Sequence, residues 1–165
     1  MRVVTLGRTG PAVGAVGLGC MGMSPGIYGP SDDAESVATI RAAIEARITL
    51  LDTGDFYGMG HNEMLIRRAL EGVPRSRVVI SVKFGAIRNP AGGWGGYDCR
   101  PQAVKNFLAY TLRRLGTRSS EPPTPRTTVT RRDMIIAEFG PQPTEAACDG
   151  AISSKRSLAR PGHGR

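Results

Sequence analysis

The sequence predicts an α/β fold built on a parallel sheet, and three observations point there. Short apolar runs alternate with helical patterns from the first residues to about Thr117. Strands separated by helices of this length pair in parallel through right-handed crossovers. Asp52 and Lys83 fall at the C-terminal ends of successive predicted strands. The alternation alone fits an open doubly wound sheet as well as a closed barrel. The polar strand ends favour the barrel, whose chemistry gathers on that face. A complete (β/α)8 barrel takes about 250 residues, and the chain has 165. The expectation is therefore a partial barrel with an N-terminal β-hairpin, truncated after about three β/α units.

Val3–Leu6 and Ala12–Leu18 are short apolar stretches around Gly7 and Gly10, the signal of a hairpin whose second part leads into a buried strand. Ser31, Asp32, Asp33 and Glu35 suit a capped helix start, with acids at the positive end of the helix dipole. Val37, Ile40 and Ile44 then share one helical face. A strand is expected over Ile48–Leu51, ending at Asp52, and a helix over Asn62–Leu70 with Leu65, Ile66, Ala69 and Leu70 inward. The next strand covers Val78–Val82 and ends at Lys83. Pro101 suits a first helical turn. Val104, Phe107, Leu108, Thr111, Leu112 and Leu115 form the stripe of that helix, and Gly116 its stop.

After Thr117 the pattern is lost. Arg118–Arg132 carries Pro122, Pro123 and Pro125 among Ser, Thr and Arg, and only Met134–Phe139 reads as a strand. Such composition does not bury enough apolar surface to offset chain entropy. The chain divides into residues 1–117 and a basic, disordered tail over residues 118–165. The net charge of +8 suggests nucleic acid, but it is spread: a surplus of five in residues 1–117 and of three in 118–165. No basic block is interleaved with aromatics, so a specific nucleic-acid partner is not expected. Cys20, Cys99 and Cys148 are odd in number and far apart, matching neither a disulfide framework nor a zinc pattern. No secretory leader or membrane-length run is visible, and the expected location is cytoplasmic.

The stretch Leu51-Asp52-Thr53-Gly54-Asp55-Phe56-Tyr57-Gly58-Met59-Gly60-His61-Asn62-Glu63 resembles the aldo-keto reductase motif, with Val82-Lys83-Phe84-Gly85 at the next strand end. The opening Leu6-Gly7-Arg8-Thr9-Gly10, the run Gly17–Gly22 and Leu112–Thr117 are similar to the first hairpin, first strand and third helix of that family. The resemblance covers about residues 1–117 and implies a TIM barrel. It also implies NADP(H)-dependent reduction of a small aldehyde or ketone, with hydride supplied by NADPH.

Carbonyl reduction needs a proton at oxygen as well as a hydride at carbon. A phenol is a weak acid, with an ordinary pKa of about 10, and a nearby ammonium lowers it. Tyr57 is the expected acid, Lys83 the group that tunes it, and Asp52 the carboxylate that holds Lys83. Cofactor contacts are expected from Cys20, Met21, Tyr28 and Asp52, with loop packing the alternative for Cys20 and Met21. Trp94, in a glycine-rich loop, lines a substrate pocket or simply packs. His61 reads as a helix-start residue rather than a metal ligand, and no metal is expected.

Two departures stand out. Arg47 follows the first helix where the family commonly has glycine. Nothing after Thr117 resembles the family's fourth strand with its catalytic histidine. Three functional readings follow: a carbonyl reductase impaired in this truncated chain, a non-catalytic remnant or interaction fragment, and a basic nucleic-acid-binding protein resting on charge alone.

Overall fold

The computed structural model describes residues 1–116, apart from Thr9 and Ile27. The expected tail over residues 118–165, including the strand-like Met134–Phe139, lies outside the described residues. Strands β1 (Val3–Thr5) and β2 (Ala12–Gly14) form the antiparallel hairpin, with Val4 opposite Val13. Strand β3 (Leu18–Gly19) follows, then helix α1 (Asp33–Glu45), β4 (Leu50–Gly54), α2 (His61–Ala69) and β5 (Val79–Lys83). A second hairpin, β6 (Ala86–Arg88) and β7 (Trp94–Tyr97), precedes helix α3 (Pro101–Leu115). The sheet β3-β4-β5 is parallel throughout. Among the described residues it does not close into a barrel.

Local chemistry sets the helix boundaries. Asp32 is the N-cap of α1, and its carboxylate accepts from the Glu35 amide at 2.7 Å, satisfying one of the donors a helix start leaves open. Pro101 opens α3, and Gly116 ends it in the left-handed conformation with φ 73°. Helix α1 ends less comfortably. Arg47 stands at φ 66°, left-handed for a residue with a Cβ. That conformation lets the Ile48 amide donate to the Ala43 carbonyl at 2.9 Å.

The core lies where α1 and α2 cover one face of the sheet. Cys20, Ile40, Ile44, Leu51, Ile66, Ala69, Val78 and Ile80 form one buried cluster. Each fully buried Ile or Leu contributes roughly 1.5–3 kcal/mol relative to exposure. The stripe on α3 is only half-buried, with Thr111 its buried member.

Two expectations need correction. Strand β4 runs to Gly54, so Asp52 is its third residue rather than its end. Pairing with β5 continues to Gly54 opposite Lys83 and carries the strand past the apolar run. The glycine-rich segment around Trp94 is a paired hairpin rather than an open loop. The Asn89 side chain turns it, accepting from the amides of Ala91 at 3.0 Å and Gly93 at 2.9 Å.

The strained helix end is testable. Arg47→Gly relieves the left-handed penalty of about 1 kcal/mol, partly offset by greater freedom in the unfolded chain. The variant is expected to gain several tenths of a kcal/mol, read from the denaturation midpoint. An equal or lower midpoint would contradict the strain.

Candidate active site

Parallel register builds the site from two strands. Asp52 pairs with Ser81, and Gly54 with Lys83. Residues two apart share a strand face, so Asp52 and Gly54 lie beside Ser81 and Lys83. The Lys83 ammonium donates to Asp52 Oδ1, and the Ser81 hydroxyl donates to Asp52 Oδ2 at 3.0 Å. Both carboxylate oxygens are therefore engaged. The Asp52 carbonyl accepts from the Cys20 amide at 2.8 Å, which ties the start of the first strand-end loop to the same point.

Tyr57 reaches this pair from the turn after β4. Its ring centroid is 5.6 Å from Lys83 Nζ. Gly54 makes the approach possible: a Cβ there would stand 3.2 Å from Cε1 and Cζ of Tyr57. Beyond the tyrosine, Gly58, Met59 and Gly60 are all left-handed, at φ 56°, 55° and 98°. This tight turn swings the chain directly into α2. The ring of Phe56 meets Tyr57 edge-on at 4.8 Å.

The electrostatics depart from the sequence expectation. Burial raises the Tyr57 pKa and outweighs the lowering by the charge and hydrogen bond of Lys83, so the phenol ends above its ordinary value. The expectation of a lowered phenol counted the ammonium but not the loss of water: Tyr57 is only 2% exposed. For Lys83 the balance runs the other way. Burial alone works to lower its pKa, but the bond and charge of Asp52, joined by Tyr57, carry it upward. Lys83 is thus held as an ammonium between a carboxylate and a phenol.

The remaining expected residues divide. Met21 packs against the cluster of Phe56, Tyr57 and Ala86. Tyr28 is 75% exposed, and its phenol is near enough to disfavour the Tyr57 phenolate. Both border the site. The Cys20 side chain instead lies wholly in the core, and its thiol, pushed up to about 12 chiefly by burial, is inert. Trp94 meets Phe56 at a tilt of 52°, with ring centroids 5.7 Å apart, and the Arg88 guanidinium lies 4.2 Å from its ring. It forms a half-exposed wall beyond the tyrosine. His61 begins α2, and no cluster of metal-binding side chains occurs among the described residues.

Sequence reasoning missed three supporting arrangements. Asn62, fully buried, accepts from Thr53 Oγ1 at 2.6 Å and donates to the Cys20 carbonyl at 2.8 Å and Ser24 Oγ at 2.9 Å. Ser24 Oγ meets His61 Nδ1 at 3.1 Å, and His61 Nε2 meets Asp33 at 3.0 Å. That relay has the residue types of a hydrolase triad, but Ser24 is 1% exposed and already bonded by Asn62. It fastens the 20–24 loop to α1 and α2. Third, buried Asp55 and Glu63 share the environment of Arg114. One signal was available in the sequence: Glu63 lies three residues before Ile66, on a face that must be buried, where an acid needs a partner.

Beyond Phe56 a cleft of about 250 Å³ opens between the second hairpin and α3, lined by Asp55, Phe56, Arg88, Phe107, Tyr110 and Arg114 among others. No helix of the described residues is long and apolar enough to cross a membrane.

This arrangement has counterparts in known proteins. The model of the aldo/keto reductase family matches residues 15–120. A probable aldo-keto reductase of Glycine max is 38% identical over 85 residues, which make up 52% of this chain and 25% of that protein. The holo form of an aldo-keto reductase from Bacillus halodurans superposes with a TM-score of 0.61 at 30% identity, covering 71% of this chain and 37% of that one. An aldo-keto reductase from Klebsiella pneumoniae, solved in complex with NADPH, gives a TM-score of 0.50 at 30% identity, covering 64% and 32%. The chain belongs to the aldo/keto reductase family. It spans 25% to 37% of the length of these three relatives.

The buried acids generate a pH dependence. Burial, then repulsion from Glu63, raises Asp55 from 3.8 to about 7 against the pull of Arg114. Its folded pKa exceeds its unfolded one, so the protonated carboxyl favours the fold. That contribution is full below about pH 4 and is lost as pH rises through about 7. Asp55→Asn mimics the protonated form. It is expected to flatten this decline by on the order of 1–3 kcal/mol between pH 5 and pH 8. Denaturant titrations at the two values measure it, and parallel declines in both proteins would contradict the assignment.

Proposed function

We propose that residues 1–117 carry the proton-donating part of a nicotinamide-dependent carbonyl reductase site, on the opening arc of a (β/α)8 barrel. The observation that carries this reading is Lys83, bonded to Asp52 and 5.6 Å from the Tyr57 ring centroid. Reduction of an aldehyde or ketone adds hydride to carbon and a proton to oxygen. Tyr57 gives its proton to the carbonyl oxygen as negative charge develops there. Lys83, kept cationic by Asp52, stabilises the phenolate left behind. Regeneration returns a proton to Tyr57 from solvent. The phenol is protonated at neutral pH even at its ordinary pKa of about 10, and the Lys83 ammonium works against the burial that makes loss of its proton harder.

The residues present fit the reactive end of NADPH. Asp52, with 32% of its side chain exposed, offers carboxylate acceptors, and the exposed Tyr28 ring offers a flat face at the rim beside Gly22. When bound, the cofactor supplies the hydride. The NADPH complex of the Klebsiella pneumoniae relative supports this choice. Trp94 and Phe56 give the carbonyl compound an aromatic wall.

A second reading, a non-catalytic fragment that keeps the motif, draws on the sheet. Among the described residues β5 pairs on one side only. Orientation supplies a large part of enzymatic rate and needs a rigid frame. Alone, the 165-residue chain is expected to oxidise NADPH slowly or not at all with a panel of aldehydes and ketones. Any turnover it has is expected to fall at least about 100-fold in Tyr57→Phe, the scale of a lost general acid. Turnover unchanged by Tyr57→Phe would remove the catalytic reading.

A further inference from the structure

The Asp55, Glu63 and Arg114 group is not used by the chemistry just described, yet it grips the segment that carries Tyr57. Glu63, on α2, is wholly buried and pairs through Oε2 with Arg114 Nη1 at 3.0 Å. The same nitrogen donates to the backbone carbonyl of Asp55 at 3.3 Å. Asp55 is in turn anchored to the active strand, its amide donating to the Lys83 carbonyl at 2.9 Å. Between these points the Arg114 side chain crosses left-handed Gly60 so closely that a Cβ there would lie 2.5 Å from Nε. Tyr110, one turn earlier on α3, supports the guanidinium at 5.7 Å from its ring centroid. One side chain of α3 thus bridges both ends of the turn containing Tyr57.

We infer that Arg114 is a positioning residue for Tyr57, holding the 55–60 turn against β5 through the Asp55 carbonyl and buried Glu63. The inference rests on the reading of Tyr57 as the proton donor, but the placement it describes has its own observable. Of the three left-handed residues that follow the tyrosine, Gly58 and Gly60 adopt that conformation freely, but Met59 at φ 55° carries a Cβ and holds it only where surrounding contacts enforce it. The bridge spans that strained turn. Without Arg114, Glu63 is left as an uncompensated buried charge, and the Asp55 carbonyl loses its link to α3. The expected response is for the turn to open and the Tyr57 ring to meet water.

The experiment is a tyrosinate absorbance titration of the full 165-residue chain. The trace of the matching Tyr57→Phe variant is subtracted in each background to isolate Tyr57. Burial is the largest influence on this phenol, so Arg114→Gln is expected to move its midpoint down towards the ordinary tyrosine value. Both bonds leave from one nitrogen, so Arg114→Lys is expected to restore much of the original midpoint. The double variant Glu63→Gln, Arg114→Gln removes the orphaned charge. It is expected to remain folded by circular dichroism and still show the lowered midpoint. An unmoved Tyr57 midpoint in either folded glutamine variant would overturn the inference. So would loss of folded signal in both, which would make Arg114 a residue of general stability. No cofactor or substrate is present in the titration. A failure of the carbonyl reductase reading would show instead as turnover indifferent to Tyr57→Phe, with this titration unaffected.

Discussion

Everything at the site depends on the register of β4 against β5. Five consecutive residue pairs, from Leu50 opposite Val79 to Gly54 opposite Lys83, bring the ammonium and the carboxylate onto one face. A slip of one residue would turn Lys83 to the other side of the sheet. The core resists such a slip, because Leu51 and Ile80 are opposite one another and both belong to the buried cluster under α1 and α2. The apolar pattern of the strands thereby fixes polar geometry that it does not itself contain. Gly54 completes the arrangement by contributing no side chain at the point where the tyrosine ring must pass.

Burial acts on the two partners of the site with different outcomes. For Lys83 the lost hydration is more than compensated by a directly bonded carboxylate and a nearby phenol. For Tyr57 the ammonium is only the second influence, and desolvation prevails. The difference follows from position. Asp52 and Lys83 are neighbours on paired strands, whereas Tyr57 comes in from a turn and is covered by Phe56, Ala86 and Met21. A proton donor needs a proton to give, and this arrangement favours the protonated phenol while stationing a cation beside it.

The sequence was informative where periodicity and capping operate. Ile40 and Ile44 mark the inner face of α1, Pro101 and Gly116 bound α3, and the glycine that the resembled family commonly has at position 47 was the signal for the positive φ found at Arg47. Asp52, Tyr57 and Lys83 were legible as a set through their family-like spacing, and the fold brings them together. Other features depend on partners distant in sequence. The extension of β4 through Thr53 and Gly54 comes from pairing with β5, since neither residue is a strong apolar signal. The second hairpin is held by cross-strand bonds and the Asn89 turn, which glycine-rich composition conceals. Arg114 reads as a surface residue beside an apolar stripe until α2 is placed against it. The depression expected at Tyr57 failed because a count of charges omits hydration.

Asn62 uses both faces of its amide at once, accepting from Thr53 while donating to Cys20 and Ser24. Aspartate has the same shape but no donors when ionised, and a leucine of similar bulk has neither function. Glutamine has the right groups one methylene too far from the backbone for a fully enclosed position. The side chain therefore works as a three-way joint between a strand, a loop and a helix, and the geometry leaves that position an alphabet of a single letter. Information about the whole site is concentrated there, in a residue with no part in the chemistry.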